Sequence, residues 1–474
     1  MFLQAMPKGA DLHTHLSGAV YPERYVDWAL ADGLCIDPES AFLSAPPCDG
    51  SPALRRALEE GLVSRGELVD AWSLRAAAAM PDAGARHDHF FGVFGRIAAV
   101  SGRRYGRMLA EVVERNARQE VSHLELILGL GLDRAKVLAR ELELADAGPE
   151  SEAALRRHGL DEIVAEARRR VDRMEEVAGR RLDCRLGPAG DCPVSVRYIA
   201  EVHRTAPPAE VLAQVMVAFA VAEADPRVVA VNLVAPEDDA GVLARYREQM
   251  AMVGRIAARH PAVRVTLHAG ELTLGQVPPG DLSGHVRQAI ELARAERIGH
   301  GVDIAYEEEP ERLLRAMARD GVAVEINLTS NAMLLGVSGR EHPFPTYRRY
   351  GVPVVLSTDD EGILRTDLTR EYVRAVETYD LDYADVKRLA RRSLEVSFLP
   401  GRSLWRDIEA GERVAVCGEP SSTACQDFLN DNARARRQWD LERRFRAFEA
   451  DRAALLRQGV MPPLSAYRTG SEAH

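Results

Sequence analysis

Val228-Val229-Ala230-Val231 and Val352-Pro353-Val354-Val355-Leu356 are apolar on both faces of an extended chain. A half-solvated strand alternates polar and apolar residues. Strands without that alternation suit a parallel sheet covered by helices. Working outward from these two runs, the same pattern of short apolar run, turn and longer helical stretch recurs. Strands are expected at residues 10–16, 121–128, 194–199, 228–234, 263–268, 298–302, 322–328 and 352–357, with helices between them, as at 241–259, 284–295 and 310–320. Eight strand-helix units predict an α/β protein of the (β/α)₈ TIM-barrel class. A doubly wound open sheet is the competing fold.

Two connections are too long for simple barrel loops. Residues 22–116 hold helical runs and a Pro/Gly/Ser-rich patch at 44–52, and residues 133–181 are charged and helical. Such insertions lie over the active face or pad the side of a barrel. The expected organisation is a barrel domain over 1–415 carrying these insertions, and a helical C-terminal extension over 416–474 packed on it.

The 474 residues are 46% hydrophobic and 28% charged, an ordinary globular composition. A net charge of −11 lacks the basic stripe of a nucleic-acid binder. No apolar run approaches the roughly 20 residues of a spanning helix, and Met1–Lys8 shows no export signal. A cytoplasmic location, with no membrane or nucleic-acid partner, is expected; the oligomeric state is left open. Cys35, Cys48, Cys184, Cys192, Cys417 and Cys425 form no C-x₂-C pair, which argues against a structural zinc site. Without an export signal, reduced thiols are expected.

Metal-binding residue types gather at the ends of the expected strands. His13-Thr14-His15 closes the first, His268-Ala269-Gly270-Glu271 the fifth, Gly299-His300-Gly301 lies on the sixth, and Asp359-Asp360 follows the eighth. C-terminal strand ends are where barrel enzymes build active sites. Residues i and i+2 of a strand share a face, so His13 and His15 can reach one ion. An H-x-H alone is weak evidence, since 13 histidines give about 0.35 such pairs by chance. His87-Asp88-His89 is a decoy, because it precedes the helix-like Phe90-Phe91-Gly92-Val93-Phe94, and i and i+2 do not face each other on a helix. A catalytic zinc takes about three protein ligands and an open position for water, and can expand to five. His13, His15, His268 and Asp359 would fill such a site. Glu271 is the natural proton donor, and His300 suits a base or a group that orients the water. Read singly, Glu271 could be a first-turn helix acid, His300 a core histidine and the Asp pair a cap.

Five ordered segments resemble the adenosine deaminase family of amidohydrolase-type barrels: residues 6–16, 268–271, 297–301, 329–331 and 357–360. Arg391-Arg392-Ser393-Leu394-Glu395-Val396-Ser397-Phe398-Leu399 resembles that family's closing helix, so the likeness covers most of residues 5–400. It implies one Zn²⁺ per chain on His13, His15, His268 and Asp359. It implies that Glu271 protonates purine N1, that His300 and Asp359 hold and deprotonate the attacking water, and that Asp360 binds N7. Gly270 would lie beside the purine, and Ala235 stands where the family has a glycine whose N–H meets N3. His15 would also touch the substrate, and Ser17 would lie at the ribose 5′-hydroxyl. The family has an acid where this chain has Ser17, so the resemblance leaves adenine, N6-modified or 5′-modified adenine nucleosides and nucleotides beside adenosine as substrates. The long insertion and tail resemble the larger, growth-factor-like branch.

Two other readings compete. A barrel hydrolase of lactones, cyclic amides or phosphotriesters often carries a bridging lysine, and Lys8 precedes the first strand instead. A purine- or zinc-binding barrel without turnover would have lost a ligand or the acid, and every position is filled. The small nucleic-acid base deaminases use H-x-E with P-C-x-x-C; His123-Leu124-Glu125 matches only the first half.

Overall fold

The computed structural model describes residues 2–188 and 190–457. Eight parallel strands follow one another in chain order. They are β1 Gly9–His15, β2 Val121–Leu128, β3 Ser195–His203, β4 Val228–Val234, β5 Arg264–Ala269, β6 Arg297–His300, β7 Ala323–Ile326 and β8 Val354–Leu356. The ends of β8 and β1 meet through a parallel bridge between Thr14 and Asp359. His15 N–H donates to Asp359 O, and Asp359 N–H donates to His13 O, both at 2.9 Å. The sheet thus closes into a (β/α)₈ barrel, and its closing stitch is made by residues of the candidate site.

The two-sided apolar runs are explained by this closure. Leu126, Ala200 and Val231 pack outward in the main core with the helices, while Ile127, Ile199, Ala230 and Val234 form a separate small cluster with Phe398. Successive strand residues face opposite sides, so one set fills the barrel and the other meets its helical coat. Beside the inner cluster lies a buried charged layer. Arg297 Nε donates to Glu325 at 2.6 Å, its Nη1 lies 2.7 Å from Glu125, and its guanidinium stacks 3.8 Å from the Phe398 ring centroid. His123-Leu124-Glu125 therefore belongs to the barrel interior, where His123 and Glu125 are fully buried.

The insertion after β1 contributes helices Ala83–Ser101 and Tyr105–Arg118. The insertion after β2 contributes Leu132–Glu141, Pro149–Arg157 and Leu160–Leu182. At the C-terminus, helix Ala433–Arg457 packs on helix Tyr383–Glu395, with Arg391 paired to Glu442 and Tyr383 Oη donating to Glu449. Leu404, Trp405, Cys417, Cys425, Phe428 and Leu429 make a satellite core beside it. The rest of the expected extension, 458–474, lies outside the described residues.

The cysteines correct the expectation of reduced thiols. All six are paired: Cys35–Cys48, Cys184–Cys192 and Cys417–Cys425, with Cα separations of 5.4, 5.0 and 4.7 Å. Each pair closes a short surface loop (13, 8 and 8 residues apart) that brings its ends within bridging range. The reading of Met1–Lys8 said nothing about that geometry. Thiol titration of the native protein is expected to find no free cysteine. No helix among the described residues is long and apolar enough to cross a membrane.

Candidate active site

The C-terminal ends of β1, β5, β6 and β8 bring His13, His15, His268, Glu271, His300 and Asp359 to one cavity of about 360 Å³. His13 Nε2 lies 3.0 Å from His268 Nε2, and His15 Nε2 lies 3.2 Å from it. Asp359 Oδ1 faces His13 at 3.6 Å and His15 at 3.4 Å. The remaining ring nitrogens are spoken for. His13 Nδ1 meets Glu325 Oε2 at 2.6 Å, and His268 Nδ1 donates to Asn232 Oδ1 at 2.9 Å. A neutral ring that donates from Nδ1 has a lone pair at Nε2. Two such lone pairs 3.0 Å apart repel unless a cation lies between them. Against the burial that favours a neutral ring, the carboxylates of Asp359 and Glu325 raise the His13 pKa to about 10. The surroundings therefore call for positive charge at this point, and three imidazoles with one carboxylate are a fitting donor set for a divalent metal. Glu325 and Asn232 stand where outer partners that orient ligand histidines would stand.

Glu271 stands beside this cluster. Burial, then the charges of Asp359 and Glu237, push its carboxyl up to about 8, so it keeps its proton at neutral pH. Its backbone is clamped: Glu237 accepts N–H bonds from Gly270 at 3.1 Å and Glu271 at 2.9 Å, and it is itself held by His285 at 2.5 Å. Gly270 has φ +72°, and a Cβ there would sit 2.2 Å from Asp303 Oδ1, so only glycine fits. His300 Nε2 is 4.0 Å from Asp359 Oδ2, and its Nδ1 accepts from Asn331 Nδ2 at 2.9 Å. That bond accounts for the Thr329-Ser330-Asn331 segment. Asp360 lines the cavity with its carboxyl pushed well up by burial and by Asp359, and its Oδ1 is buried without a protein partner. A Cβ on Gly18 would fall 1.5 Å from that oxygen. Gly18→Ala is expected to displace Asp360 and lower kcat/KM roughly 10- to 100-fold, about the worth of one good contact in a closed site; steady-state kinetics check it.

Ala235 also lines the cavity, at φ +83°. A left-handed alanine costs about 1–2 kcal/mol, partly offset by the entropy a glycine loses. Ala235→Gly is therefore expected to stabilise the protein by about 0.5–1 kcal/mol, read as a rise in Tm. His15 and Ser17 line the same cavity, and His13 is buried behind it. His87 and His89 lie on helix Ala83–Ser101, as their spacing implied; His87 pairs with Asp238 at 3.3 Å and His89 meets Ser73 O at 3.1 Å.

Sequence reasoning missed the outer wall. Phe90, Phe91 and Phe94, Tyr105 and Met108 come from the two insertion helices, and Glu201 and His203 from the end of β3. Strand 3 was expected to stop at Ile199, yet it runs on to His203. The alternation Glu201-Val202-His203 was the available signal, because it places both polar side chains on the cavity face. Burial raises the Glu201 pKa, but His203, His15 and Lys136 more than offset it, so the carboxyl titrates below its ordinary value. Its Oε1 is 3.4 Å from His203 Nε2.

The eight-stranded barrel thus carries a three-histidine, one-aspartate cluster and a buried glutamate at its C-terminal mouth, the face where barrel enzymes build their sites. The adenosine deaminase family profile matches residues 164–406, just over half of the chain. The chain belongs to the adenosine deaminase family. It is 37% identical over 172 residues to the adenosine deaminase of Clostridium perfringens (strain SM101 / Type A), an alignment covering 36% of this chain and 47% of that one. The chain thus spans about half the length of the curated relatives it matches. In three dimensions it is similar to an N6-mAMP deaminase from Arabidopsis (TM-score 0.53, 20% identity, 84% of this chain and 95% of that one). It is likewise similar to a Burkholderia ambifaria amidohydrolase with bound Zn (TM-score 0.54, 18% identity, 90% and 92%). At these identities the two structures share the fold.

Proposed function

We propose that this protein hydrolyses the 6-amino group of adenosine or a closely related 6-aminopurine nucleoside, releasing ammonia. The observation that carries the reading is the Glu271 carboxyl, held protonated to about pH 8 beside the His13, His15, His268 and Asp359 cluster. Those four residues would hold the metal, one ion per chain, and zinc suits three imidazoles and a carboxylate. The chemistry a metal held there would supply is a bound water acidic enough to give a nucleophile at neutral pH. Glu271 donates its proton to purine N1, which leaves C6 electron-poor. Asp359, which faces the histidine cluster with Oδ1 and His300 with Oδ2, accepts a proton of the attacking water and passes it to the amino group, which leaves as ammonia while the proton on the new C6 oxygen returns to Glu271; His300 holds that oxygen. Asp360, its pKa raised, carries a proton to N7. The Ala235 N–H serves N3, and Gly270 lies beside the ring.

The sugar would extend toward Ser17, Glu201 and His203. Glu201 is the acceptor that compensates for the serine at position 17. No Lys or Arg is among the described residues lining the cavity, which favours a neutral nucleoside over a 5′-phosphate. Adenine and N6- or 5′-modified adenine nucleosides are the second reading, supported by the same wall of Phe90, Phe91 and Phe94, which gives room for stacking without fixing a sugar. The reading takes residues 1–415 as the catalytic unit and the described part of 416–474 as its helical extension. It has a small purine as partner and none among nucleic acids or membranes. For location, the sequence proposes the cytoplasm, whereas three disulfides favour an oxidising compartment.

The test is metal dependence. Stripping by a chelator should abolish ammonia release from adenosine, and one equivalent of zinc should restore it. Full activity in protein shown by elemental analysis to hold no metal would refute the reading.

A further inference from the structure

His300 is fully buried, and which of its ring nitrogens bears the proton decides what it can do in the cavity. A chain of hydrogen bonds settles this from a distance. The Phe344 backbone N–H donates to His342 Nδ1 at 3.1 Å. A peptide N–H cannot accept, so His342 Nδ1 presents its lone pair and the neutral ring carries its proton on Nε2. That Nε2 lies 3.0 Å from Asn331 Oδ1, so the ring donates and the amide oxygen accepts. The orientation of the Asn331 amide follows, with its NH₂ facing His300. Asn331 Nδ2 then donates to His300 Nδ1 at 2.9 Å. His300 Nδ1 must be the lone pair, and Nε2 carries the proton.

We propose that His342 is a positioning residue that sets the tautomer of His300 through Asn331, so that Nε2–H, facing Asp359 Oδ2, is the only ring donor His300 presents to the cavity. His300 then orients the attacking oxygen by donating a hydrogen bond, and the proton of the water goes to Asp359. Each link is buried: His342 is 2% exposed, Asn331 and His300 not at all. Other groups near His300 agree with the assignment. Glu271 Oε1 lies 3.7 Å from Nδ1, too far for a hydrogen bond in either direction, and the Asn327 amide nitrogen lies 3.5 Å from Nδ1 and 3.4 Å from Nε2, too distant to dictate either. Burial lowers the His342 pKa to about 4, which keeps the ring neutral in its relay role across the working range.

The inference rests on the pocket being the reaction site, but its primary readout does not. Protein labelled with [¹⁵N]histidine, with His300 assigned by the signals lost in His300→Asn, should show a pyridine-type Nδ1 and a pyrrole-type Nε2. Asn331→Asp replaces the donor with an acceptor and should reverse the pair. It should also lower kcat roughly 10²- to 10⁴-fold with KM little changed, as a wrong tautomer does. His342→Leu should lower kcat about 10- to 100-fold, and His342→Gln, which keeps a donor, should recover part of the loss. A pyrrole-type Nδ1 in the wild type overturns the proposal whatever the variants do. So does an unchanged kcat in folded His342→Leu. A wild type that deaminates nothing would instead remove the function proposed above, with the nitrogen spectrum still deciding the relay.

Discussion

Glu271→Gln is expected to lower kcat roughly 10²- to 10⁴-fold, the usual contribution of a positioned acid, while the metal stays bound. The amide keeps the size and the backbone clamp from Glu237 but has no acidic proton to give to N1. The pH dependence should share this origin. With its carboxyl at about 8 against an ordinary 4.5, Glu271 holds its proton at neutral pH and gives it up as pH rises through about 8. Wild-type activity should fall along that limb, and the residual activity of the variant should not follow it. Stability should move in the same direction. The folded state binds this proton more tightly than the unfolded chain, so the contribution is full below about 4.5 and is lost as pH rises through about 8. The variant should therefore gain on the wild type in Tm between pH 5 and pH 9. Near-normal kcat in Glu271→Gln would remove the proton-donor role.

His13→Ala is expected to empty the metal site and to lower activity roughly a thousandfold or more, the several kcal/mol that a metal supplies. Of the four proposed ligands, His13 has the most to lose. Its Nε2 faces His268 and Asp359, and its Nδ1 is held by Glu325, whose carboxylate Arg297 and Thr266 also grip at 2.6 and 3.0 Å. The substitution leaves Glu325 paired on one side, so the protein should fold with a stability loss of about 1–3 kcal/mol. Elemental analysis of the variant decides: a full equivalent of zinc would remove His13 from the ligand set.

The barrel and the inner half of the site were legible because both rest on local pattern. Runs such as Val228–Val231 declare a strand covered on both faces, and His13-Thr14-His15 or Asp359-Asp360 declare chemistry at a strand end. The outer half was not. Phe90, Phe91 and Phe94 read simply as a helix, and only the packing of that insertion over the barrel mouth turns them toward the cavity. Glu201 and His203 sit where a polar alternation looked like the end of β3. Asn331 was visible as part of a familiar segment, but its link to His342, eleven residues on, depends on the chain turning back to bring the His342 ring to the Asn331 amide. The disulfides were invisible for the opposite reason. Short separations allow a bridge but do not require one.

The account stands most directly on ammonia release by the purified, zinc-loaded protein. The panel is adenosine, 2′-deoxyadenosine, adenine, AMP, 5′-modified adenosines and N6-methyl derivatives, with guanine and cytidine as controls. Turnover of adenosine and its neutral nucleoside analogues, with AMP far slower, is the predicted result. Silence across every 6-aminopurine, with one zinc bound per chain, would contradict it.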